Sequence, residues 1–225
     1  MTRALDLCID KLQKELLTLE RLVKEATHEA VDSLIRRDQD ASRTVYANDQ
    51  AINDLRFAIE TECLITIATQ QPTASDLRML ASILELASEL ERMGDYAKGI
   101  ARVNMMLGEE PLPEVSQDLS RMAEIAISML EQSIKAFVER DSAAARVIPD
   151  QDDEIDELFN QIYRQLVQGM IANPKMIDQA NHLQWAAHNL ERMADRVTNI
   201  CERAIFVAEG ERLELDRSDD EWGKP

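Results

Sequence analysis

Two pairs of acidic residues, each four positions apart, are the part of this sequence best suited to chemistry. Glu91 and Asp95 form the first pair, and Glu191 and Asp195 form the second, 100 positions further along. Residues four apart lie on one face of a helix, about 6 Å from each other. Like charges at this distance repel, so each pair needs a compensating positive charge.

Other oxygen-bearing side chains can complete each site from a neighbouring helix. Four of them repeat the four-residue spacing: Asp49 with Asn53, and Asp152 with Asp156. Asn199 extends the second acidic face by one helical turn. If the helices pack antiparallel, each half gathers three or four oxygen ligands. Such a set favours magnesium, manganese, calcium or iron over metals that prefer thiolates.

The arginines next to the acidic pairs are poor candidates for the compensating charge. Arg92 and Arg192 each follow a glutamate directly, and a one-residue step turns about 100° round a helix. A bound cation is therefore the expected neutraliser, and the second half is expected to bind it more tightly. The alternative interpretation is that both acidic faces are solvated parts of a helical scaffold with no specific metal.

An internal duplication contains both acidic pairs. The segment ELERMGDYAKGI at 89–100 aligns with NLERMADRVTNI at 189–200, with six of twelve positions identical. Upstream, DQAINDL at 49–55 resembles DDEIDEL at 152–158. The chain therefore consists of two homologous units, and two copies are too few for a solenoid.

Helical periodicity runs through both units. Apolar residues recur every three or four positions from Leu5 to Leu34, then within 41–69 and 74–107, and the Thr73–Asp76 segment resembles a capping box. After the Gly/Pro-rich segment 108–113, three more helices are expected: one over about 119–137, one capped by Asp141, and one from Asn173 and Pro174 to about 208. Pro149 should kink the fifth helix or delay its regular start.

These patterns predict an all-α fold, a tandem repeat of two three-helix bundles with six long helices. The first bundle covers 1–109, the second covers 114–209, and 210–225 is expected to be an acidic flexible tail. Only 4% of the residues are aromatic, and the chain has six Gly and six Pro. This composition disfavours a β-sandwich or barrel.

Charge and cysteine content exclude several classes of function. The formal net charge of −18 disfavours binding to nucleic acid or to an anionic membrane surface, since both need clustered Lys and Arg. Three widely separated cysteines without a CxxC motif are typical of a reducing, intracellular compartment. No apolar stretch of about 18 residues occurs, so we expect a soluble cytoplasmic protein without membrane insertion.

The doubled motif, LERMGDYAKGIA and LERMADRVTNICE, and the turn QQPTASDLR resemble the PhoU family of phosphate-signalling regulators. The resemblance covers the chain to about position 210. It implies acidic motifs that hold iron, zinc, manganese, magnesium or multinuclear clusters of such metals. On this resemblance, the ligands are Glu91, Asp95, Asp49, Glu191, Asp195, Asp152, Asp156 and Asn199.

The same resemblance implies a function. Family members are homodimeric negative regulators of the phosphate response that link the ATPase of the phosphate ABC transporter to a sensor histidine kinase. Two departures, Asn53 and Gly99 in place of Asp156 and Asn199, weaken the first site. Asp76 and Arg78 match the family's turn, where we expect them to cap the helix and form a structural ion pair.

A di-iron carboxylate enzyme is the other class considered. That chemistry needs two Glu-x-x-His motifs and two further glutamates in a four-helix bundle. Only Glu25 and His28 fit this pattern, and the other half has no counterpart. A catalytic nucleophile constellation and a Gly-rich phosphate loop are also missing from the sequence. We therefore predict a non-enzymatic protein that senses phosphate through its partners.

Overall fold

The computed structural model describes residues 3–107, 112–113 and 115–215. Within these ranges the chain is helical and contains no strand. The α-helices are α1 (Ala4–Arg36), α2 (Gln39–Gln70), α3 (Ala74–Leu107), α4 (Ser116–Glu139), α5 (Ser142–Val147), α6 (Asp152–Ala172) and α7 (Ile177–Glu209). Two 3-10 turns, Ile148–Gln151 and Pro174–Met176, precede α6 and α7. The all-α prediction with six long helices is confirmed.

The heptad-like stripe of α1 forms its buried face. Leu12, Leu16, Leu19 and Val23 are fully buried, while most residues between them are at least partly exposed. A helix with one apolar stripe is stabilised by packing that stripe against other helices. The periodicity therefore determines which side of α1 faces the core.

The duplicated units also share their first turn. Arg37 and Arg140 both adopt the left-handed conformation that ends a helix, with φ of 60° and 55°. The next residue caps the following helix: Asp38 accepts from the Ala41 backbone N–H, and Asp141 accepts from that of Ala144. Each turn thus satisfies backbone groups that helix ends leave unpaired. The predicted cap at Asp141 is confirmed.

The fifth helical segment is divided, as Pro149 predicts. The short α5 ends at Val147, Pro149 lies in the first 3-10 turn, and α6 begins at Asp152. Proline lacks the N–H that a helix interior needs, so regular hydrogen bonding resumes only after it. Asn173 and Pro174 differ slightly from expectation, because they cap and open a 3-10 turn rather than α7 itself.

The two bundles share one apolar core. Helices α1, α2 and α3 pack together, as do α4, α6 and α7, with α5 against α4 and α7. The halves join where α3 packs on α7 and α1 packs on α4, so buried residues of both halves form one continuous cluster. None of the helices in the described ranges combines the length and the apolar character needed to cross a bilayer.

The boundary regions are described only in part. The expected linker 108–113 lies largely outside the described residues, as does 216–225 of the expected tail. Helix α7 ends at Glu209 and is followed by Gly210, whose φ of 83° is left-handed. Beyond it, Leu215 packs against the core, and its backbone N–H donates to Glu202 Oε1 at 2.9 Å. The part of the tail next to α7 therefore returns to that helix.

Candidate functional site

The buried sides of α3 and α7 fix the direction of the acidic pairs. Leu90 and Met93 flank Glu91 on α3 and are fully buried, as are Leu190 and Met193 on α7. Because these residues face the core, the side chain of the glutamate between them lies at the boundary between the buried and the exposed side of the helix. It therefore lies beside the neighbouring helix of its own bundle, which is α2 in the first half and α6 in the second.

The first acidic face consists of Asp49 on α2 with Glu91 and Asp95 on α3. Asp49 is only 6% exposed. Lys98 Nζ lies 2.6 Å from Asp49 Oδ2, and Asn53 Nδ2 donates to the same oxygen at 3.0 Å. An ammonium group thus already pairs with the most buried carboxylate of this face.

The titration behaviour of the first acidic face reflects this arrangement. Loss of hydration, and then the neighbouring carboxylates, raise the pKa of both Glu91 and Asp95 above their usual values. Lys98 acts in the opposite direction on the pKa of Asp95. The hydrogen bond to Asp49 raises the pKa of Lys98 itself, so the ammonium stays charged at neutral pH.

The second acidic face consists of Asp152 and Asp156 on α6 with Glu191 and Asp195 on α7. Burial, and then the charges of the Asp156, Asp195 and Glu191 carboxylates, raise the pKa of Asp152 from 3.8 to about 7. Burial also raises the pKa of Glu191, and the negative charge of Asp195 raises it further. The structure therefore brings all four predicted acids into one electrostatic cluster.

The donor set of the second acidic face suits a hard divalent cation. Asp152 Oδ1 is buried and has no hydrogen-bond partner, and a buried polar atom of this kind is destabilising unless something binds it. Four carboxylates are also the ligand type that such cations prefer. Among the described residues, no three His, Cys, Asp or Glu side chains are gathered as a ready metal site. Ligation here would thus need side-chain rotation.

Asn199 is placed differently from expectation. Its Nδ2 donates to Glu89 Oε2 at 3.2 Å, across the contact between α7 and α3. Two more polar links cross the same contact: Arg196 Nη1 lies 3.5 Å from Glu89 Oε2, and Arg203 Nε lies 2.9 Å from Glu85 Oε2. Asn199 follows Glu191 by eight residues, so its side chain points about 80° away from that of Glu191 round the helix axis. Asn199 therefore joins the two halves of the chain and lies away from the four acids.

Several other polar residues have simple structural roles. His188 Nδ1 is 3.0 Å from Glu191 Oε2, at the edge of the second acidic face. Arg192 stacks over the Tyr96 ring at 4.9 Å, so it is directed toward α3. Asp76 accepts from the Thr73 hydroxyl at 3.0 Å, and its ion-pair partner at 3.3 Å is Arg3 rather than the Arg78 of the same turn.

The single Glu-x-x-His motif on α1 is used for other contacts. Glu25 Oε1 accepts from Arg21 Nη1 at 2.7 Å, as in an ordinary i,i+4 ion pair. His28 lines an apolar groove of about 620 Å³ formed mainly by α1 and α2. Neither side chain belongs to the acidic faces, so this geometry gives no support to a di-iron enzyme.

Lys98, which pairs with Asp49 in the first acidic face, was not among the residues predicted from the sequence. The signal was present in the aligned repeats, where Lys98 stands opposite Thr198. Its importance depends on the contact with Asp49, which is 49 positions away in the chain. Tyr46 adds a second contact, because Lys98 Nζ lies 5.2 Å from the centre of its ring.

Comparison with protein families extends the similarity over both halves. The PhoU domain model matches residues 16–103 and again residues 119–204. The first match contains α2, most of α1 and nearly all of α3, and the second contains α5, α6 and most of α4 and α7. Both acidic faces fall within the matched ranges.

Individual relatives are similar over nearly their whole length. A phosphate-specific transport system accessory protein PhoU homolog from Aquifex aeolicus is 34% identical, over 90% of this chain and 92% of that protein. The Streptococcus pneumoniae homolog is 32% identical over 96% of this chain and 100% of its own length.

Solved structures show the same architecture. The crystal structure of the phosphate transport system regulatory protein PhoU from Streptococcus pneumoniae superposes with a TM-score of 0.86 at 32% identity, covering 94% of this chain and 100% of that one. The crystal structure of PhoU from Pseudomonas aeruginosa also gives 0.86, at 30% identity, with coverage of 92% and 99%.

Proposed function

This chain belongs to the PhoU family, and from that premise we propose that it is an accessory regulator of phosphate uptake. The observation that carries the proposal is the match of both halves, in sequence and in architecture, to proteins named for the phosphate transport system. We further propose a negative-regulatory adaptor between the transporter ATPase and a sensor histidine kinase. It would act in the cytoplasm as a homodimer.

The physical character of the chain supports an adaptor. Long helices offer extended surfaces to protein partners, and exposed apolar side chains such as Phe57, Leu64 and Tyr163 lie on them. The net charge of −18 favours partners with basic surfaces, because electrostatic attraction would accelerate their association with this chain. The signal would then be carried by contacts between proteins.

The regulatory role is tested by complementation. A bacterium that lacks its own PhoU-family gene and carries a phosphate-starvation reporter receives this chain. We expect the reporter, active in the deletion strain at high phosphate, to be repressed again. A well-expressed, folded chain that leaves the reporter fully active would refute negative regulation. Light scattering of the purified chain tests the homodimer.

The adaptor role needs a separate test with purified components. Biolayer interferometry measures binding of this chain to the transporter ATPase and to the cytoplasmic part of the sensor kinase. We expect both to bind, and both signals to weaken at high salt because charge contributes. Binding to neither partner would contradict the adaptor. Calorimetry with orthophosphate tests whether sensing occurs through partners, since tight direct binding would oppose that idea.

We also propose that the second acidic face binds a divalent cation, with Asp152, Asp156, Glu191 and Asp195 as ligands. Iron, zinc, manganese and magnesium are the candidate metals. When bound, the cation would neutralise the four carboxylates and link α6 to α7. Because it would bind the folded state alone, the metal supply would tune the stability of the adaptor.

Elemental analysis of untagged protein, purified without chelators, tests this metal site. The parent is compared with a variant carrying Glu191→Ala and Asp195→Ala, which should lose most of the metal. A matched control carries Glu25→Ala and Glu29→Ala, which remove two acids at the same spacing from α1. Equal metal content in all three proteins would refute the assignment.

A further inference from the structure

The apolar groove between α1 and α2, called the α1–α2 groove below, has a volume of about 620 Å³. Its lining residues recur every three or four positions on both helices, so each helix contributes one of its faces to the groove. The third wall comes from α4. The apolar lining residues are Leu22 and Ala26 on α1, Val45, Ala51 and Ile52 on α2, and Ile127 on α4.

The shape of the α1–α2 groove suits a single helix. Its α2 wall runs from Thr44 to Ile52, a length of about 12 Å, or roughly two helical turns. Val45 and Ile52 are buried and belong to the core, so the groove has a fixed apolar floor. Ala26 and Ala51 have small side chains, which let another helix approach closely. An amphipathic helix with apolar residues at i, i+3, i+4 and i+7 matches this length.

The rim of the α1–α2 groove is acidic. Glu25 and Glu29 lie on its α1 side. On α4, Glu124 and Glu131 stand one turn before and one turn after Ile127. The side chains of these four glutamates are between 44% and 70% exposed, so their charges are accessible to a partner.

Nearby cations compensate the acidic rim only in part. Arg21 pairs with Glu25. Three other basic residues are each shared between two acids: Lys24 between Glu20 and Glu131, Arg36 between Glu29 and Asp32, and Arg121 between Glu124 and Glu154. These ion pairs contain seven acidic and four basic side chains, so they carry a formal charge of −3.

We propose that the α1–α2 groove binds one amphipathic helix of a partner protein, with the apolar side of that helix in the groove and Lys or Arg along its flanks. This inference rests on the adaptor role proposed above and gives it a docking surface. Apolar contact would supply affinity, while the acidic rim would attract basic flanks and select against acidic helices. A second copy of this chain is disfavoured, because it would bring a net charge of −18 to an acidic rim.

Fluorescence anisotropy with the full chain and labelled synthetic peptides tests this proposal. The first peptide is an amphipathic helix with Leu on one side and Lys on both flanks, and it has about 20 residues because shorter isolated helices are marginally stable in water. The second peptide keeps each Leu and replaces each Lys by Glu. We expect the Lys peptide to bind and the Glu peptide to remain free. Equal binding of both peptides, or binding of neither, overturns the proposal.

Substitutions on α2 locate the binding site. Ala51→Phe places a ring in the groove and leaves the charge unchanged, so it should weaken binding of the Lys peptide by roughly tenfold or more. Ala58→Phe is the matched control, because Ala58 is also exposed on α2 but does not line the groove. If Ala51→Phe does not fold, Asn48→Lys replaces it, since a positive charge at this exposed lining residue would repel a basic helix. Binding as tight as that of the parent overturns the proposal.

The acidic rim is tested separately. Glu25→Gln with Glu29→Gln removes two rim charges, so the affinity for the Lys peptide should fall several-fold and depend less on salt. Asp10→Asn with Glu157→Gln is the matched control, because it removes two exposed charges elsewhere on α1 and α6. An equal loss in both double variants would mean that net charge alone attracts the peptide, which overturns the proposal.

The transporter ATPase and the sensor kinase separate this inference from the proposed adaptor. If they bind the parent, Ala51→Phe should weaken the binding of at least one of them. Undiminished binding of both overturns the groove and leaves the adaptor intact. If neither binds the parent, the adaptor fails, and the peptides still decide whether the groove accepts a basic helix. A change in the oligomeric state of Ala51→Phe, measured by light scattering, would assign the groove to a second copy and overturn the proposal.

Discussion

Asp152 is expected to destabilise the metal-free protein at neutral and alkaline pH. Its pKa rises from 3.8 to about 7 on folding, chiefly through burial and then through Asp156, Asp195 and Glu191. Between these two values the folded state binds more protons than the unfolded state. Stability therefore falls as the pH rises from about 4 to 7, and it stays at its reduced level above that.

The magnitude follows from the same two pKa values. An increase from 3.8 to about 7 corresponds to about 4 kcal/mol. Because the side chain is not fully buried, screening by water reduces this to about 2 kcal/mol. Asp152→Asn removes the charge, so it should stabilise metal-free protein by about 2 kcal/mol at pH 8 and by about half as much at pH 5.5.

Urea unfolding in EDTA at these two pH values measures the effect. Glu157→Gln on the same helix is the control, because that residue is exposed and the change should leave stability nearly unaltered. Added Mn²⁺ should reverse the ranking, since Asp152→Asn removes a proposed ligand. A variant that is no more stable than the parent at pH 8, or whose advantage is the same at both pH values, would refute this reasoning.

Two further predictions concern buried polar and thiol groups. Asn104→Ala should destabilise the protein by about 3 kcal/mol in urea unfolding, because the buried Asn104 amide bonds to oxygens of the α1–α2 turn; the exposed Asn48→Ala is the control, and an equal effect would contradict this account. At pH 8, iodoacetamide should modify Cys8 in the folded protein and leave Cys63 and Cys201 intact, since burial raises the pKa of both thiols to about 12. Modification of all three at one rate, measured by mass spectrometry, would oppose it.

The fold could be predicted because its signals are local. The spacing of Leu12, Leu16 and Leu19 defines one apolar side of α1, whatever that side later packs against. The positions of helix ends could also be predicted from the sequence. Asp141 caps a helix with its own side chain, and Pro149 interrupts one because it lacks an N–H. The 3-10 turn before α7 was missed, because the same Asn-Pro pair can open either kind of helix.

The acidic faces were predictable to a different degree. Duplication and four-residue spacing identified the carboxylates, and the packing of α6 on α7 does bring four of them together. Asn199 was misplaced because eight residues of helix rotate the side chain toward α3, where Glu89 accepts its amide. Spacing along one helix predicts on which side of that helix a side chain lies, but the residue that it contacts there belongs to another helix.

The sequence by itself therefore determined the helices, the duplication and the acidic residue types, all of which depend on neighbours within a few turns. Tertiary structure decided which groups meet. Lys98 reaches Asp49 and Asn199 reaches Glu89 only because α3 packs against both α2 and α7. Electrostatic energy depends on distance in space, so two similar motifs acquire different surroundings once packing brings the Lys98 ammonium to one of them.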